Sequence, residues 1–165
     1  MIRRSWTARM DAIDRKILNR LQQNARVSIK ALANECFISS PTISARIHQM
    51  EKQGIIKNYY TLIDYKKMGY HIKAYVNLKV EPSDKHEFYK YIEKIPNVLE
   101  CDCVSGEFAM LIKVIFESTE LLDSFINELQ RFGKTNTQIV FSTPVIVRGI
   151  ELDSFERREF PHKQN

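Results

Sequence analysis

Only three residues, Phe37, Ile38 and Ser39, separate two amphipathic helical patterns in the first third of the chain. A link that short between packed helices points to the helix-turn-helix arrangement. The pattern before the link starts at Ser28, a natural N-cap, and repeats Ile29, Leu32, Ala33 and Cys36 at the spacing of one buried face. The pattern after it opens on Ser40-Pro41, read as a cap followed by proline at the first helical position, and turns Ile43, Ile47 and Met50 inward. Gly54 closes it as a C′ residue. Upstream, Met10, Ile13, Ile17, Leu18 and Leu21 make a third stripe that stops near Asn24. Asp11 and Asp14 stand in its opening turn, where the helix dipole favours anions.

What the last of these helices exposes decides what the unit can do. Opposite Ile43, Ile47 and Met50 the helical wheel presents Thr42, Ala45, His48, Gln49 and Lys52, flanked by Ser44 and Arg46. These are small or hydrogen-bonding residues, and the first acid is Glu51. A helix entering the major groove needs small residues for close approach, donors for phosphate and amides for base edges. Ser39, Ser40 and Thr42 lie where a helix N-terminus can meet a phosphate. Arg46 is read either as a phosphate contact or as an ion-pair partner of Glu51 or Asp14, whereas His48 and Gln49 are the candidates for base contact. The DNA-binding set is therefore Ser39, Ser40, Thr42, Ser44, Ala45, Arg46, His48, Gln49 and Lys52.

Charge is distributed in keeping with this. Residues 1–62 carry a net charge of +7, residues 63–152 carry −2 and residues 153–165 carry 0. All of the positive excess sits in the first third, which invites a polyanion there and another task elsewhere.

After Gly54 the run Ile55–Ile63 is rich in β-branched and aromatic residues and reads as a linker strand, paired with the same strand of a second subunit. Asp64–Tyr70 reads as a short connection. From there the periods alternate: a strand over 71–80, a helix over 84–95 with Phe88, Tyr91, Ile92 and Ile95 inward, and strands over 98–105 and 108–116. A helix then runs from Ser118 to Phe132 with Leu121, Leu122, Phe125, Ile126 and Leu129 inward, followed by a strand over 135–147. This β-α-β-β-α-β order is the ferredoxin-like arrangement, an antiparallel sheet with both helices on one face. Val76, Leu78 and Val80 in one strand, with Ile112, Val114 and Phe116 in another, predict apolar surface on both sheet faces and hence at least a dimer. The expected fold class is α+β. Its domains are 1–62, helix-turn-helix with the linker strand; 63–152, ferredoxin-like; and 153–165, a polar tail.

Other chemistry finds little footing. Cys101 and Cys103 are two apart on a strand and share a face, but no His lies near them in sequence, so no metal site is expected. The sequence has no nucleophile-elbow motif, no HExxH and no phosphate-cradling glycine loop, so neither catalytic residues nor a cofactor are expected. The longest nearly apolar stretch, Phe108–Phe116, is broken by Lys113 and too short for a bilayer, and the arginine-bearing N-terminus has no apolar run behind it. The expectation is a soluble cytoplasmic protein, with no membrane partner.

These residues together resemble the leucine-responsive regulatory protein/AsnC (Lrp/AsnC) family of transcription regulators. The resemblance rests on Asp11-Ala12-Ile13-Asp14-Arg15-Lys16-Ile17-Leu18, Ala25-Arg26-Val27-Ser28, Leu32-Ala33, Ser39-Ser40-Pro41-Thr42-Ile43-Ser44-Ala45-Arg46-Ile47 and Glu51-Lys52-Gln53-Gly54-Ile55-Ile56. The stretch Tyr60–Tyr70 resembles the family's connection ending in Leu-Gly-Tyr, with Met68 for Leu. The resemblance implies a winged type of helix-turn-helix, a second domain that dimerises and builds higher assemblies up to octamers, and an amino-acid effector held between subunits. It places the effector at Gly106, Glu107, Phe108, Ala109 and Met110 with Thr135, Thr137 and Gln138. Ala109 stands where the family's loop carries Asp, so one polar anchor is missing. Either the ligand differs from the commoner ones, or the loop only shapes the oligomer.

The leading expectation is a sequence-specific, double-stranded-DNA-binding transcription regulator, its paired modules meeting half-sites about 34–36 Å apart or multiples of that. Two alternatives stand beside it. One is an enzyme resembling the sirohaem decarboxylases, which share the layout but carry histidine-centred motifs where this chain has only His71 and His86. The other is an architectural DNA binder without effector control.

Overall fold

A computed structural model of the chain describes residues 10–152, so the predicted polar tail over 153–165 lies outside the described residues. The described chain forms two compact units: one runs to Thr61 and takes back the segment from Ile146, and the other is Leu62–Val145. The sequence pattern ended the second domain at Leu152; in the structure the segment from Ile146 groups with the first unit.

Three helices build the first unit: α1 (Ala12–Gln23), α2 (Ile29–Cys36) and α3 (Ser40–Lys52). Each N-terminus is capped by a side chain that satisfies a backbone donor the helix cannot. Asp11 and Asp14 form a reciprocal capping box on α1, with the Asp14 N–H donating to Asp11 Oδ1 at 2.8 Å and the Asp11 N–H to Asp14 Oδ2 at 3.3 Å. Ser28 accepts from the Ala31 N–H. On α3 the cap is Ser39, not Ser40, because it is Ser39 that has the extended backbone and whose Oγ takes the Thr42 N–H. The end of α3 is a Schellman turn: the Ile55 N–H donates to Met50 O, the Gly54 N–H to Glu51 O, and Gly54 takes the left-handed φ of +71°. The α2 end makes the same pair of bonds from Ile38 and Phe37, but the left-handed position is filled by Phe37 at φ +56°.

Ile17, Leu32 and Ile43, one from each helix, are fully buried and form the centre of this unit, with Leu18, Ala33, Cys36 and Met50 around them. Each such side chain contributes about 1.5–3 kcal/mol by leaving water. Leu152 joins the same cluster, its N–H donating to Asn19 Oδ1 at 3.0 Å. Gln22 Nε2 donates to Ile150 O alongside it. In the single chain the segment expected to pair as a linker strand with a second subunit is left unpaired. Ile55 and Ile56 pack on the helical core, and the chain from Lys57 to Asp64 is irregular. A strand exists only by pairing, and this segment has no strand partner among the described residues.

The second unit runs β1 (Ile72–Leu78), α4 (Lys85–Ile92), β2 (Val98–Cys103), β3 (Met110–Phe116), α5 (Thr119–Leu129) and β4 (Thr135–Ile139). Its sheet has the order β2-β3-β1-β4 with every pair antiparallel, the ferredoxin-like topology. Val76 pairs with Ile112 and Ala74 with Val114, so the two apolar series lie on the same face. Phe88 and Ile92 of α4, with Leu122, Phe125 and Leu129 of α5, cover that face. The predicted double-sided apolar sheet is thereby corrected. The opposite face carries Tyr75 across from Lys113 and Asn77 across from Leu111, with Glu100 and Asp102 beyond on β2. Period alone places residues on alternate faces; register decides whether two strands agree.

Two further expectations shift. Leu121 is 47% exposed rather than inward. β4 ends at Ile139 instead of running to Val147: the Val140 N–H still reaches Lys73 O, but only Ile72 of β1 lies beyond Lys73, and Pro144 offers no N–H. No helix among the described residues is long and apolar enough to cross a membrane.

Candidate nucleic-acid interface and effector loop

The outer face of α3 follows from its inner one. Ile43 and Met50 are buried, which turns Thr42, Ser44, Ala45, His48, Gln49 and Lys52 to solvent, His48 with 81% of its side chain exposed. Ser39 is exposed and Ser40 half-buried at the helix start. The Ser39 and Thr42 hydroxyls lie 2.7 Å apart, so both already share a hydrogen bond at this N-terminus.

Arg46 is placed differently from the rest. Its Nη1 donates to Asp14 Oδ1 at 2.7 Å and to Asp11 Oδ2 at 2.8 Å, with 28% of the side chain exposed. Of the two roles weighed for it, this geometry is the ion pair with Asp14, and Asp11 is an added partner. Hydrogen bonds to Asp14 and then Asp11 raise the Arg46 pKa further above its usual value. The first turn of α1 is thus bolted to the middle of α3. The nearest acid on the exposed helix is also occupied: Glu51 accepts the Tyr59 hydroxyl at 2.9 Å and lies 3.8 Å from His48 Nδ1. Burial and then Glu51 push the Tyr59 pKa up to about 12, so the phenol stays a donor. Tyr59 ties the start of the linker to the end of α3.

The predicted effector residues gather at one end of the sheet but do not share a surface. Met110 and Thr135 both pair with Leu78, one on each side of β1, so the loop before β3 and the start of β4 flank the same strand end. Gly106 has φ +118° in the loop that the Val104 N–H closes onto Ala109 O at 2.8 Å. Glu107 is exposed, Phe108 is half-buried, and Ala109 packs against the core. Met110 is fully buried in the core beneath the helices. Thr135 and Thr137 fall on the helix-covered face with Leu78 and Val76, whereas Gln138, opposite Tyr75, falls on the other.

Cys101 and Cys103 share a face, as the alternation predicts, paired with Ile112 and Met110 respectively. Burial, then Asp102 and Cys103, push the Cys101 thiol up to about 11, which keeps it protonated and a poor metal ligand at neutral pH. Among the described residues no group of three or more His, Cys, Asp or Glu side chains could hold a metal ion.

Residues 10–57 match the winged helix-turn-helix DNA-binding family, and residues 73–150 match the Lrp/AsnC ligand binding domain. The HTH-type transcriptional regulator LrpC of Bacillus subtilis is 32% identical over 134 residues, covering 81% of this chain and 93% of LrpC. Its solved structure superposes with a TM-score of 0.78 over 81% of this chain and 96% of that one. A transcriptional regulator of Neisseria meningitidis, solved in complex with L-Met, is 21% identical with a TM-score of 0.82, covering 87% and 97%, a likeness of fold. The capped three-helix unit with its basic outer helix, the β2-β3-β1-β4 sheet and this agreement along most of the chain mean that the protein belongs to the Lrp/AsnC family of helix-turn-helix transcription regulators.

Proposed function

We propose that α3 is the recognition helix and that the protein binds specific sites on double-stranded DNA as a homodimer in the cytoplasm. The observation that carries this is the outer face of α3. Thr42, Ala45, His48, Gln49 and Lys52 project from a rigidly capped helix, and the adjacent acids Asp11, Asp14 and Glu51 are engaged by Arg46 and Tyr59. Gln49 and His48 are positioned to meet base edges, with Lys52, Ser44 and the Ser39–Ser40 start of the helix against phosphates. Arg46 acts behind this face, holding α3 on α1. Support for a dimer comes from apolar side chains left uncovered among the described residues: Tyr60, Leu62, Phe141 and Val147 are 58–94% exposed, an unusual set of large apolar residues to leave in water.

An amino-acid effector is the second part of the proposal, supported by the ligand-binding-domain match and by the relative solved with L-Met. The loop Gly106–Ala109 with Thr135 and Thr137 is the region proposed to meet it, and Met110 supports that loop from the core. Ala109 brings no charge, so a ligand here relies on Glu107 and backbone groups. The deciding experiment titrates the protein against DNA from upstream of its own gene and against unrelated DNA, at several salt concentrations, with and without L-methionine. Tight binding to one fragment, a steep salt slope and a large ratio over unrelated DNA support the proposal. Equal binding to both favours an architectural binder, and binding to neither rejects α3 as a recognition helix.

A further inference from the structure

Phe37 is placed against the interests of folding. Among the described residues it is the one non-glycine with positive φ, at +56°. A left-handed conformation crowds an L side chain, and the same position in the turn after α3 holds Gly54. Its ring gains nothing from the core in return: Phe37 is 91% exposed, while Cys36 is buried and Ile38 packs on the helices. Among the described residues the cation beside the ring is Lys16, whose ammonium lies 5.9 Å from the centroid. Lys16 is itself held there by the Glu35 carbonyl. A strained backbone thus presents a bare aromatic ring beside a fixed cation, two residues before the Ser39 cap of α3.

We infer that Phe37 is an apolar reader of DNA, its ring meeting the C5-methyl of a thymine in the major groove at the edge of the site that α3 occupies. Three observations favour DNA over a protein partner. The ring adjoins the N-terminus of the helix whose outer face lacks free acids; the unit carrying it holds the whole positive excess of the chain; and the neighbouring Lys16 suits a phosphate flank. Phenylalanine against the thymine methyl is a recognised apolar base contact. The inference rests on α3 being the recognition helix.

The test uses the full-length protein and a duplex that the wild type selects from a random-sequence pool. Each thymine of the duplex is replaced in turn by deoxyuridine, which removes only the methyl. Wild type is expected to lose about fourfold in affinity at one position near the edge of the half-site, the worth of one buried methyl. Phe37→Gly is expected to bind about tenfold more weakly, to be indifferent to that same methyl, and to melt no lower than wild type because glycine suits the left-handed turn. Phe37→Leu, which keeps apolar bulk, retains most of the affinity.

A flat deoxyuridine scan for wild type, or a methyl effect that persists in Phe37→Gly, overturns the inference. So does wild-type affinity in Phe37→Gly, including the case where that variant loses only an oligomeric state. Gln49→Ala in the same assay separates the two levels. If it weakens binding while Phe37→Gly does not, α3 still reads DNA and Phe37 does not. If wild type selects no sequence, or neither variant changes binding, both readings fall.

Discussion

Arg46 donates through Nη1 to Asp14 at 2.7 Å, joining the middle of α3 to the capped first turn of α1. A second bond from the same nitrogen reaches Asp11 at 2.8 Å, so one side chain holds both members of the capping box. The bolt fixes the angle at which α3 is offered to solvent. It also turns a cation toward α1, and in the proposed reading Arg46 serves stability and orientation.

Arg46→Ala should therefore lower the thermal midpoint, with a loss of about 1–2 kcal/mol for a partly buried, doubly bonded guanidinium. The salt slope of DNA binding should stay at the wild-type value. Arg46→Lys, which keeps charge but loses the fork, should fall between. A slope reduced by about one phosphate contact, with an unchanged melting temperature, would instead return Arg46 to the DNA.

The same cluster sets an acid limit. The Asp14 N–H, working against the upward push of burial and helped by the Arg46 guanidinium and the Ile13 N–H, holds the Asp11 carboxyl below its ordinary 3.8. A carboxyl depressed in the folded state contributes stability above its unfolded pKa, and that contribution drains away as pH falls from about 4 through the folded value. Asp11→Asn keeps a capping oxygen but cannot titrate. Its melting temperature should start below wild type at neutral pH and fall less steeply through that acid window. Parallel pH profiles for the two proteins would show that Asp11 is not a source of acid sensitivity.

Local chemistry was legible in the sequence wherever a residue satisfies its own neighbours. Ser28, Gly54 and the 3.6-residue stripes through Ile17, Leu32 and Ile43 mark helices whose caps and cores lie within a few turns. What needed a distant partner was not. The series at Val76 and Ile112 have equal claim to either face until their cross-strand register is known, and Ile55–Ile63 has the composition of a strand but no strand partner among the described residues. At the proposed sites, the exposed side of α3 was predictable from its buried side. The second Arg46 partner, the burial of Met110 and the separation of Gln138 from Thr137 depend on tertiary packing or register. Leu152 gave no signal, since a single apolar residue near the end of a chain has no period.

That residue makes a prediction of its own. Leu152 is 9% exposed among the side chains of α1, α2 and α3, and its N–H is held by Asn19. Leu152→Ala should cost about 2–3 kcal/mol, the lower part of the range for a large-to-small change at a site open on one side. Asn19→Ala should cost about 1 kcal/mol by leaving that N–H without its acceptor. Both losses should appear in thermal unfolding and in faster amide exchange along α1. Wild-type stability in Leu152→Ala would mean that the three helices hold together without the returning segment.

Gln49 and Lys52 stand one turn apart on the exposed face of α3, and the proposed roles give them opposite signatures. An amide that pairs with a base edge contributes only where that base is present, so Gln49→Ala should flatten preference at one position by about 1–3 kcal/mol and bind unrelated DNA as before. An ammonium on a phosphate is indifferent to sequence, so Lys52→Ala should weaken specific and unrelated DNA alike and lower the magnitude of the salt slope by about one unit. The measurement is a salt series on the selected duplex, its single-position variants and unrelated DNA, for both proteins. An unchanged position profile in Gln49→Ala would remove it from base reading, and an unchanged slope in Lys52→Ala would place that lysine off the phosphate track.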